Sequence, residues 1–177
     1  MSLNPIETNV YFSTYTNLNW EKVLENNLYK EIVMDRLHFL VKDNRIVLYS
    51  FVIMPNHIHL IWEIKENHVL KNVQRDFLKF TAQKIRYKMI DNEDSLLDNL
   101  VVNASDRIAQ IWERNGFSFM LNNSKTIMQK MNYIHNNPVR VKWSLAESPE
   151  EYHYSSASYY NTGIDTFEML TNISRIL

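Results

Sequence analysis

Residues 51–62 read FVIMPNHIHLIW, an apolar run followed by a break and then by a regular alternation. The apolar run covers residues 46–54 and is short enough to be a buried strand. Pro55 and Asn56 break it. Residues 57–64 then alternate one by one, with both histidines on one face and large apolar side chains on the other. This stretch therefore predicts two strands separated by a short break.

Upstream of this stretch, the sequence predicts one strand and one helix. Residues 9–16 (NVYFSTYT) are rich in β-branched and aromatic residues, which favours a strand. Residues 24–41 carry apolar side chains near helical spacing, with charges between them, which predicts a helix. Asp43 and Asn44 are a turn signal before the next strand.

Downstream, the sequence predicts two helices separated by a connection and an extended segment. Residues 70–89 place apolar side chains along one side of a long helix. Residues 91–105 are polar and are expected to be a connection, whereas residues 108–121 are aromatic and extended. Ser124 is the expected N-cap of a helix over residues 125–136, which ends before a proline.

The order strand-helix-strand-strand-helix-strand is that of the ferredoxin-like, or split βαβ, arrangement. It predicts an α+β fold, with an antiparallel sheet, both helices on one face and a further helix near the C-terminus. We expect one domain over residues 1–177, with a core over about residues 9–140 and a C-terminal tail. The other face of the sheet would remain free, and an exposed sheet face suits nucleic acid.

The composition limits the chemistry available to the chain. It contains no cysteine, which excludes disulfides, thiolate metal sites and a thiol nucleophile. Any metal would be held by histidine, carboxylate or amide groups. The first residues lack the features of a signal peptide, and no apolar run approaches the roughly 18 residues needed to span a bilayer. We therefore expect a soluble, cytoplasmic protein without a membrane partner.

The basic residues are clustered, although the net charge is only −1. Residues 65–88 contain seven basic and two acidic side chains, and residues 125–142 contain four basic and no acidic ones. The rest of the chain is accordingly acidic. This asymmetry indicates either basic surfaces that bind nucleic acid or two ordinary solvated helix faces.

His57 and His59 lie two residues apart on a predicted strand, so both rings leave the same face. Strand geometry separates their Cα atoms by about 6.6 Å. Two imidazoles at that separation can share one divalent ion. The alternative is a pair of ordinary surface histidines, because this pattern is common on its own.

Residues 51–62 closely resemble the signature of the HUH single-tyrosine transposases, in which a strand carries a Pro-Asn-His-hydrophobic-His segment. Residues 133–140 (YIHNNPVR) resemble the tyrosine helix of the branch called REP-associated tyrosine transposases. Residues 152–157 (YHYSSA) resemble the usual ending of that family. The resemblance spans about residues 9–160, and the three motifs occur in the family's order.

This resemblance implies a metal-dependent endonuclease and strand transferase that acts on single-stranded DNA. Tyr133 would be the catalytic nucleophile that forms a 5′-phosphotyrosine. His57, His59 and Asn137 would bind Mg²⁺ or Mn²⁺. Asn137 could instead only cap the helix, and Glu63, on the histidine face, is an alternative ligand.

The residues of the tyrosine helix agree with this interpretation. Thr126, Lys130, Tyr133 and Asn137 recur at helical spacing and share a polar face. Tyr133 is therefore expected to reach out of the helix rather than into the core.

Basic side chains provide candidate DNA contacts. A stripe along the second predicted helix could follow phosphates, and two further cations flank Tyr133; the residues are Lys71, Arg75, Lys79, Arg86, Lys130 and Arg140. Residues 79–82 (KFTA) also echo the family sequence. The implied partners are single-stranded DNA or DNA hairpins from repeat elements.

Residues 112–119 (WERNGFSF) and the pair Val141-Lys142 depart from the commoner family form, which puts the DNA contacts of the last strand in question. Two other functions stay open. One is a hairpin-binding protein with weak or lost catalysis, and the other is a nicking enzyme of the replication-initiator or relaxase type. The loop before Ser124 is compatible with a monomer or with a homodimer that exchanges tyrosine helices.

Overall fold

The protein contains a four-stranded antiparallel sheet with helices on both faces and a small two-stranded sheet. The computed structural model describes residues 9–104 and 107–177, without the side chains of residues 103, 104, 107 and 108. In chain order the strands and helices are β1 (Val10–Thr16), α1 (Asn27–Lys42), β2 (Ile46–Ile53), β3 (His57–Ile64), α2 (Leu70–Asp91), β4 (Val101–Ala104), β5 (Arg107–Ala109), β6 (Phe117–Met120), α3 (Ser124–Asn136) and α4 (Ala157–Thr162).

The strands of the main sheet lie in the order β2-β3-β1-β6, and every neighbouring pair is antiparallel. Helices α1 and α2 pack against each other, and Phe77 of α2 contacts Tyr15 and Trp62 of the sheet. The predicted ferredoxin-like α+β fold is confirmed. Within the described residues, none of the helices is long and apolar enough to cross a membrane.

Strand β3 has the predicted bounds, and it lies at the centre of the fold. All of its residues are buried except Glu63, which is partly exposed. Trp62 faces the α1–α2 side, where its Nε1 donates to the Ser13 hydroxyl at 2.9 Å. The histidine side of β3 is buried as well, because α3 covers it.

The expectation of a free second sheet face is therefore wrong for its central strands. Helix α3 contacts β2 and β3 and buries Ile127, Met131 and Ile134 in the core. An amphipathic helix needs an apolar surface to cover its own apolar stripe, and this sheet face offers one.

The long helices match the predictions with shifted ends. Helix α2 buries Val73, Phe77, Thr81, Ile85 and Met89, which recur every fourth residue as the periodicity required. Helix α1 begins at Asn27, later than predicted, because residues 23–25 form a separate 3₁₀ turn and the Asn26 side chain accepts from the Leu28 amide at 3.0 Å. The predicted N-cap of the tyrosine helix is wrong by one residue: Asn123 is the cap, because its side chain accepts from the Thr126 amide at 2.8 Å, and Ser124 is the first helical residue.

The segment between α2 and α3 is less regular than predicted. The expected connection contains a 3₁₀ helix, Ser95–Leu100, and strand β4; residue 105, where the prediction ended, lies outside the described residues. The expected extended segment divides into β5 and β6, joined by irregular residues. At Gly116 an added Cβ would lie 2.5 Å from the Tyr15 ring, so this connection passes close to the sheet where only glycine fits.

The C-terminal segment covers the outer edge of β2. The amide of Ile53 donates to the Tyr154 carbonyl at 2.9 Å, the amide of Ser156 donates to the Phe51 carbonyl at 3.0 Å, and a third bond joins Thr171 to Leu48. Tyr152, Tyr154, Met169 and Ile173 join the core. This tail protects an edge whose backbone groups would otherwise be open to other strands.

Candidate active site

His57 and His59 lie side by side beneath α3. Their ring centroids are 4.8 Å apart and their planes are at 71°. The prediction that both rings leave one face of β3 is confirmed. Both side chains are buried, with 7% and 4% of their surface exposed, so they are not surface histidines.

Each histidine is oriented through its Nδ1 atom. His57 Nδ1 lies 2.7 Å from Asn56 Oδ1, and the Asn56 Nδ2 group donates to the Trp20 carbonyl at 3.1 Å, which fixes the orientation of the amide. Because an amide oxygen can only accept, His57 Nδ1 carries the proton, and Nε2 is unprotonated and faces the Asn137 amide at 3.4 Å. His59 Nδ1 lies 2.7 Å from the hydroxyl of Thr14 on β1.

The Nε2 atom of His59 is buried and has no hydrogen-bond partner among the described residues. Leaving a buried polar atom unpaired costs about 1–3 kcal/mol. A ligand at this atom would remove the penalty, so the arrangement is suited to an electron-pair acceptor such as a metal ion.

Both rings are neutral near pH 7. Burial lowers the pKa of His57 to about 4, with a smaller effect from Lys142. Burial also lowers the pKa of His59 to about 3, and the nearby charges of His57, Lys130 and Arg140 act in the same direction. The neutral imidazole is the form that binds metal ions.

Asn137 lies directly after α3 and brings an amide group to the histidine pair. It is buried, and its Nδ2 atom is 3.4 Å from His57 Nε2. Asn137 is the C-cap residue of α3, where its backbone amide bonds to the Ile134 carbonyl, and its side chain faces His57. Glu63, the alternative ligand, accepts from the Tyr49 hydroxyl at 2.6 Å.

The described residues contain no group of three or more His, Cys, Asp or Glu side chains that could hold a metal ion. Asn137, whose amide group lies beside the pair, is the candidate third ligand through its side-chain oxygen. Two neutral imidazoles and one amide form a donor set that fits a divalent cation with open positions for other oxygen ligands.

Tyr133 lies on α3 one turn before Asn137, above the histidine face. Its ring centroid is 5.1 Å from that of His59 and 6.2 Å from that of Phe12. The ring is partly buried, so it neither enters the core nor projects freely into solvent. One chain supplies both the tyrosine and the histidines in this arrangement, and the helix-exchanged homodimer stays a prediction.

Two cations surround the Tyr133 ring. The guanidinium carbon of Arg140 is 4.5 Å from the ring centroid, and the Lys130 ammonium is 5.6 Å from it. Of the described carboxylates, none is within salt-bridge distance of either cation. Both charges therefore remain available to a phosphate beside the tyrosine.

The other predicted DNA-binding residues lie on α2, across the sheet from Tyr133. Arg75, Lys79 and Arg86 line a groove of about 820 Å³ between α2 and residues 109–116, and Lys71 is exposed nearby on α2. The structure thus separates the predicted cations into two groups on opposite sides of the sheet.

Three residues next to the site had no predicted role. Thr14 and Asn56 orient the histidines, and the Trp143 ring centroid lies 5.7 Å from that of His57. Asn56 belongs to the quoted motif, but Thr14 could only be found once the β1–β3 register was known. No periodicity in the sequence indicates Trp143.

A buried polar network holds the C-terminal end of α3. His135 Nε2 is 3.1 Å from the Ser50 hydroxyl on β2 and 2.9 Å from the Ser156 hydroxyl. Ser156 also accepts from the Phe51 amide at 3.0 Å. The Ser-Ser ending of the third sequence motif therefore connects the tyrosine helix to the sheet.

Two solved structures share this architecture. One is a REP-associated tyrosine transposase bound to a REP hairpin, with a TM-score of 0.64 and 17% identity over 98% of this chain and 92% of that chain. The other is a protein from Deinococcus radiodurans R1 that has been proposed to be a transposase, with a TM-score of 0.51 and 15% identity over 77% of this chain and 95% of that chain. No protein-family model and no curated protein matches the sequence. The chain has the fold of the REP-associated tyrosine transposases, the family that its sequence motifs resemble.

Proposed function

We propose that the protein is a metal-dependent endonuclease and strand transferase that acts on single-stranded DNA. The observation that carries this proposal is the position of Tyr133 beside His59, with the ring centroids 5.1 Å apart. The same helix end brings Asn137 to His57. A tyrosine hydroxyl beside a donor set that suits a metal ion is an arrangement that would support cleavage of a phosphodiester.

His57, His59 and Asn137 would hold Mg²⁺ or Mn²⁺. When bound there, the ion would neutralise charge on a phosphate oxygen and orient the scissile bond. The unpaired Nε2 of His59 and the unprotonated Nε2 of His57, which faces the Asn137 amide, support this assignment. The Nδ1 bonds to Thr14 and Asn56 would keep the two donor atoms aimed at the same point.

Tyr133 would attack phosphorus through its hydroxyl oxygen. The new bond joins tyrosine to the 5′-phosphate, and the bond from phosphorus to the 3′ oxygen breaks. The tyrosine proton is released and the departing 3′ oxygen takes up a proton, so the cut strand ends in a 3′-hydroxyl. Because one phosphoester replaces another, a second 3′-hydroxyl can reverse the step and join two strands without ATP.

Lys130 and Arg140 would hold the phosphate while this exchange takes place. Their charges lie close to the Tyr133 ring and are free of carboxylate partners among the described residues. Fixed cations at the point where negative charge develops stabilise the transition state without reorganising.

A DNA hairpin is the proposed partner. The similar transposase was bound to a REP hairpin. The groove lined by Arg75, Lys79 and Arg86 supplies a second cationic surface, across the sheet from Tyr133, that could grip the stem.

The test is incubation of the full chain with labelled hairpin oligonucleotides that carry single-stranded flanks, in the presence of Mn²⁺. Denaturing gels should show cleavage in one flank, and excess EDTA should prevent it. If hairpins bind tightly but no flank is ever cut, the protein is a hairpin-binding module instead.

A further inference from the structure

Aromatic side chains form a row from the histidine pair to the free edge of the sheet. Phe12 stacks on His59 with 5.5 Å between centroids and 24° between planes. Phe119 lies 5.5 Å from Phe12, and Phe117 lies 5.5 Å from Phe119. Phe117 and Phe119 are two apart on β6 and therefore share the histidine face.

The outer part of this row is open to solvent. Phe117 has 60% of its surface exposed, and Phe119 is partly exposed. Ser118, between them, faces the opposite side and bonds to Ser13. Within the described residues no strand pairs with the outer side of β6. Burial of apolar rings is favourable, so one exposed and one partly exposed phenylalanine beside the site indicate an interaction surface.

A positive charge accompanies the row. The Lys130 ammonium is 4.9 Å from the Phe12 centroid and 5.3 Å from the Phe119 centroid. Together with Arg140 near Tyr133, it places cations along one side of the aromatic rings. Rings that can stack with bases, next to cations that pair with phosphates, are the pattern of single-strand recognition.

We infer that Phe117 and Phe119 are a stacking platform for unpaired bases of single-stranded DNA on one side of the scissile phosphate, with Lys130 on the backbone. A duplex does not fit this role, because its bases are already stacked on each other. The inference rests on the proposed function, because that function places the scissile phosphate beside Tyr133. Stacking of bases on Phe117 and Phe119 does not itself require cleavage. The platform lies in residues 112–119, where the sequence departs from the commoner family form.

The test is fluorescence anisotropy with the full chain in EDTA, so that binding is measured without cleavage. One probe is a labelled oligothymidylate of about 12 nucleotides, and the other is an abasic strand with the same number of phosphates. Wild type should bind the oligothymidylate more tightly. Phe117→Ala should weaken oligothymidylate binding about tenfold and leave abasic binding unchanged, because only stacking is lost.

Met120→Ala is the matched control. Met120 lies on the same strand with 48% of its surface exposed, and the strand alternation directs it to the opposite face. Its replacement should alter neither affinity. Equal affinity of wild type for the two probes, or an equal loss in the two variants, would overturn the inference.

The alternative is that a second copy of the chain covers the β6 edge, and light scattering tests this by measuring the oligomeric state. If wild type dimerises and Phe117→Ala abolishes the dimer, the surface belongs to that copy and the inference fails. If no hairpin is ever cut but the preference for oligothymidylate depends on Phe117, the platform stands and the enzymatic proposal fails.

Discussion

The Tyr133 ring packs edge-on against the His59 ring, at 5.1 Å between centroids and 70° between planes. Tyr133 comes from α3, and His59 comes from the central strand of the sheet. The contact therefore depends on α3 folding back over the histidine face.

Metal binding should depend on His59. Mn²⁺ should raise the melting temperature of the wild-type protein, since an ion that binds only the folded state stabilises it. His59→Ala should remove most of this increase and should also lower the metal-free melting temperature, because the ring is buried. Differential scanning fluorimetry with Mn²⁺ and with EDTA measures both effects.

Glu63→Gln is the control for this prediction, because Glu63 lies four residues after His59 on β3 and accepts from the Tyr49 hydroxyl. It should keep the Mn²⁺ effect. An equal Mn²⁺ effect in wild type and His59→Ala would place the ion elsewhere.

The hydroxyl of Thr14 should increase the Mn²⁺ affinity of the site by orienting the His59 ring. Thr14→Val keeps the side-chain shape but removes the 2.7 Å bond to His59 Nδ1. We expect Mn²⁺ affinity to fall about tenfold, the lower end of the effect usual for groups that orient a metal ligand. Isothermal titration calorimetry is the measurement.

Thr16→Val is the companion variant, since Thr16 pairs with His57 in the β1–β3 register. Among the described residues its hydroxyl bonds to neither histidine ring. Its Mn²⁺ affinity should equal that of wild type. Similar losses in both variants would argue that the strand, not the hydroxyl, is responsible.

Arg140 should act mainly on the cleavage step. Its guanidinium carbon lies 4.5 Å from the ring centroid of Tyr133, the proposed nucleophile. Arg140→Gln should lower the rate at saturating DNA about a hundredfold, as expected for loss of a charged group at the reaction centre. Single-turnover cleavage assays measure this rate.

Lys125→Gln, an exposed cation at the start of the same helix, should leave that rate unchanged. A pure affinity loss for Arg140→Gln, with a normal rate at saturation, would contradict a role in the reaction itself.

The buried network at the end of α3 should contribute to stability. Ser156→Ala removes partners of His135, Ser50 and the Phe51 amide at once. Leaving buried polar groups unpaired should lower the free energy of unfolding by about 1–3 kcal/mol. Urea denaturation tests this, with the exposed Ser174→Ala as the reference. A loss no greater than that of Ser174→Ala would mean that the network is compensated elsewhere.

The sequence was sufficient for the elements whose periodicity is long and regular. Strand β3 could be predicted to the residue because its alternation runs unbroken from His57 to Ile64. Helix α2 could be predicted because its buried residues recur every fourth position. The same alternation placed the two histidines on one face, which is the foundation of the candidate site.

The position of α3 could not be predicted from its own pattern. The face that carries Lys130, Tyr133 and Asn137 is polar and looks solvated in sequence, yet it lies against the sheet around the histidines. Which surface a helix covers depends on long-range packing, which local periodicity does not encode. Thr14 could not be predicted to orient His59 for the same reason, because the two residues become neighbours only through the β1–β3 register.

Residues 108–121 were predicted as one extended segment. Apolar and aromatic content alone does not distinguish a strand from a buried irregular segment. In the structure, Gly116 passes against the Tyr15 ring and the strand begins only at Phe117. A single glycine therefore carries a tertiary contact that the local pattern does not reveal.

The central claim is that Tyr133 is the nucleophile, and covalent trapping on labelled hairpin DNA with Mn²⁺ tests it most directly. Tyr159→Phe is the best matched control, since the Tyr152 and Tyr154 hydroxyls bond to Ile53 and Glu31 and their loss could disturb the fold. Wild type and Tyr159→Phe should give a protein–DNA band that survives boiling in detergent and disappears with protease. Tyr133→Phe should fold and bind DNA normally but give no such band, and an undiminished band from Tyr133→Phe would contradict the account.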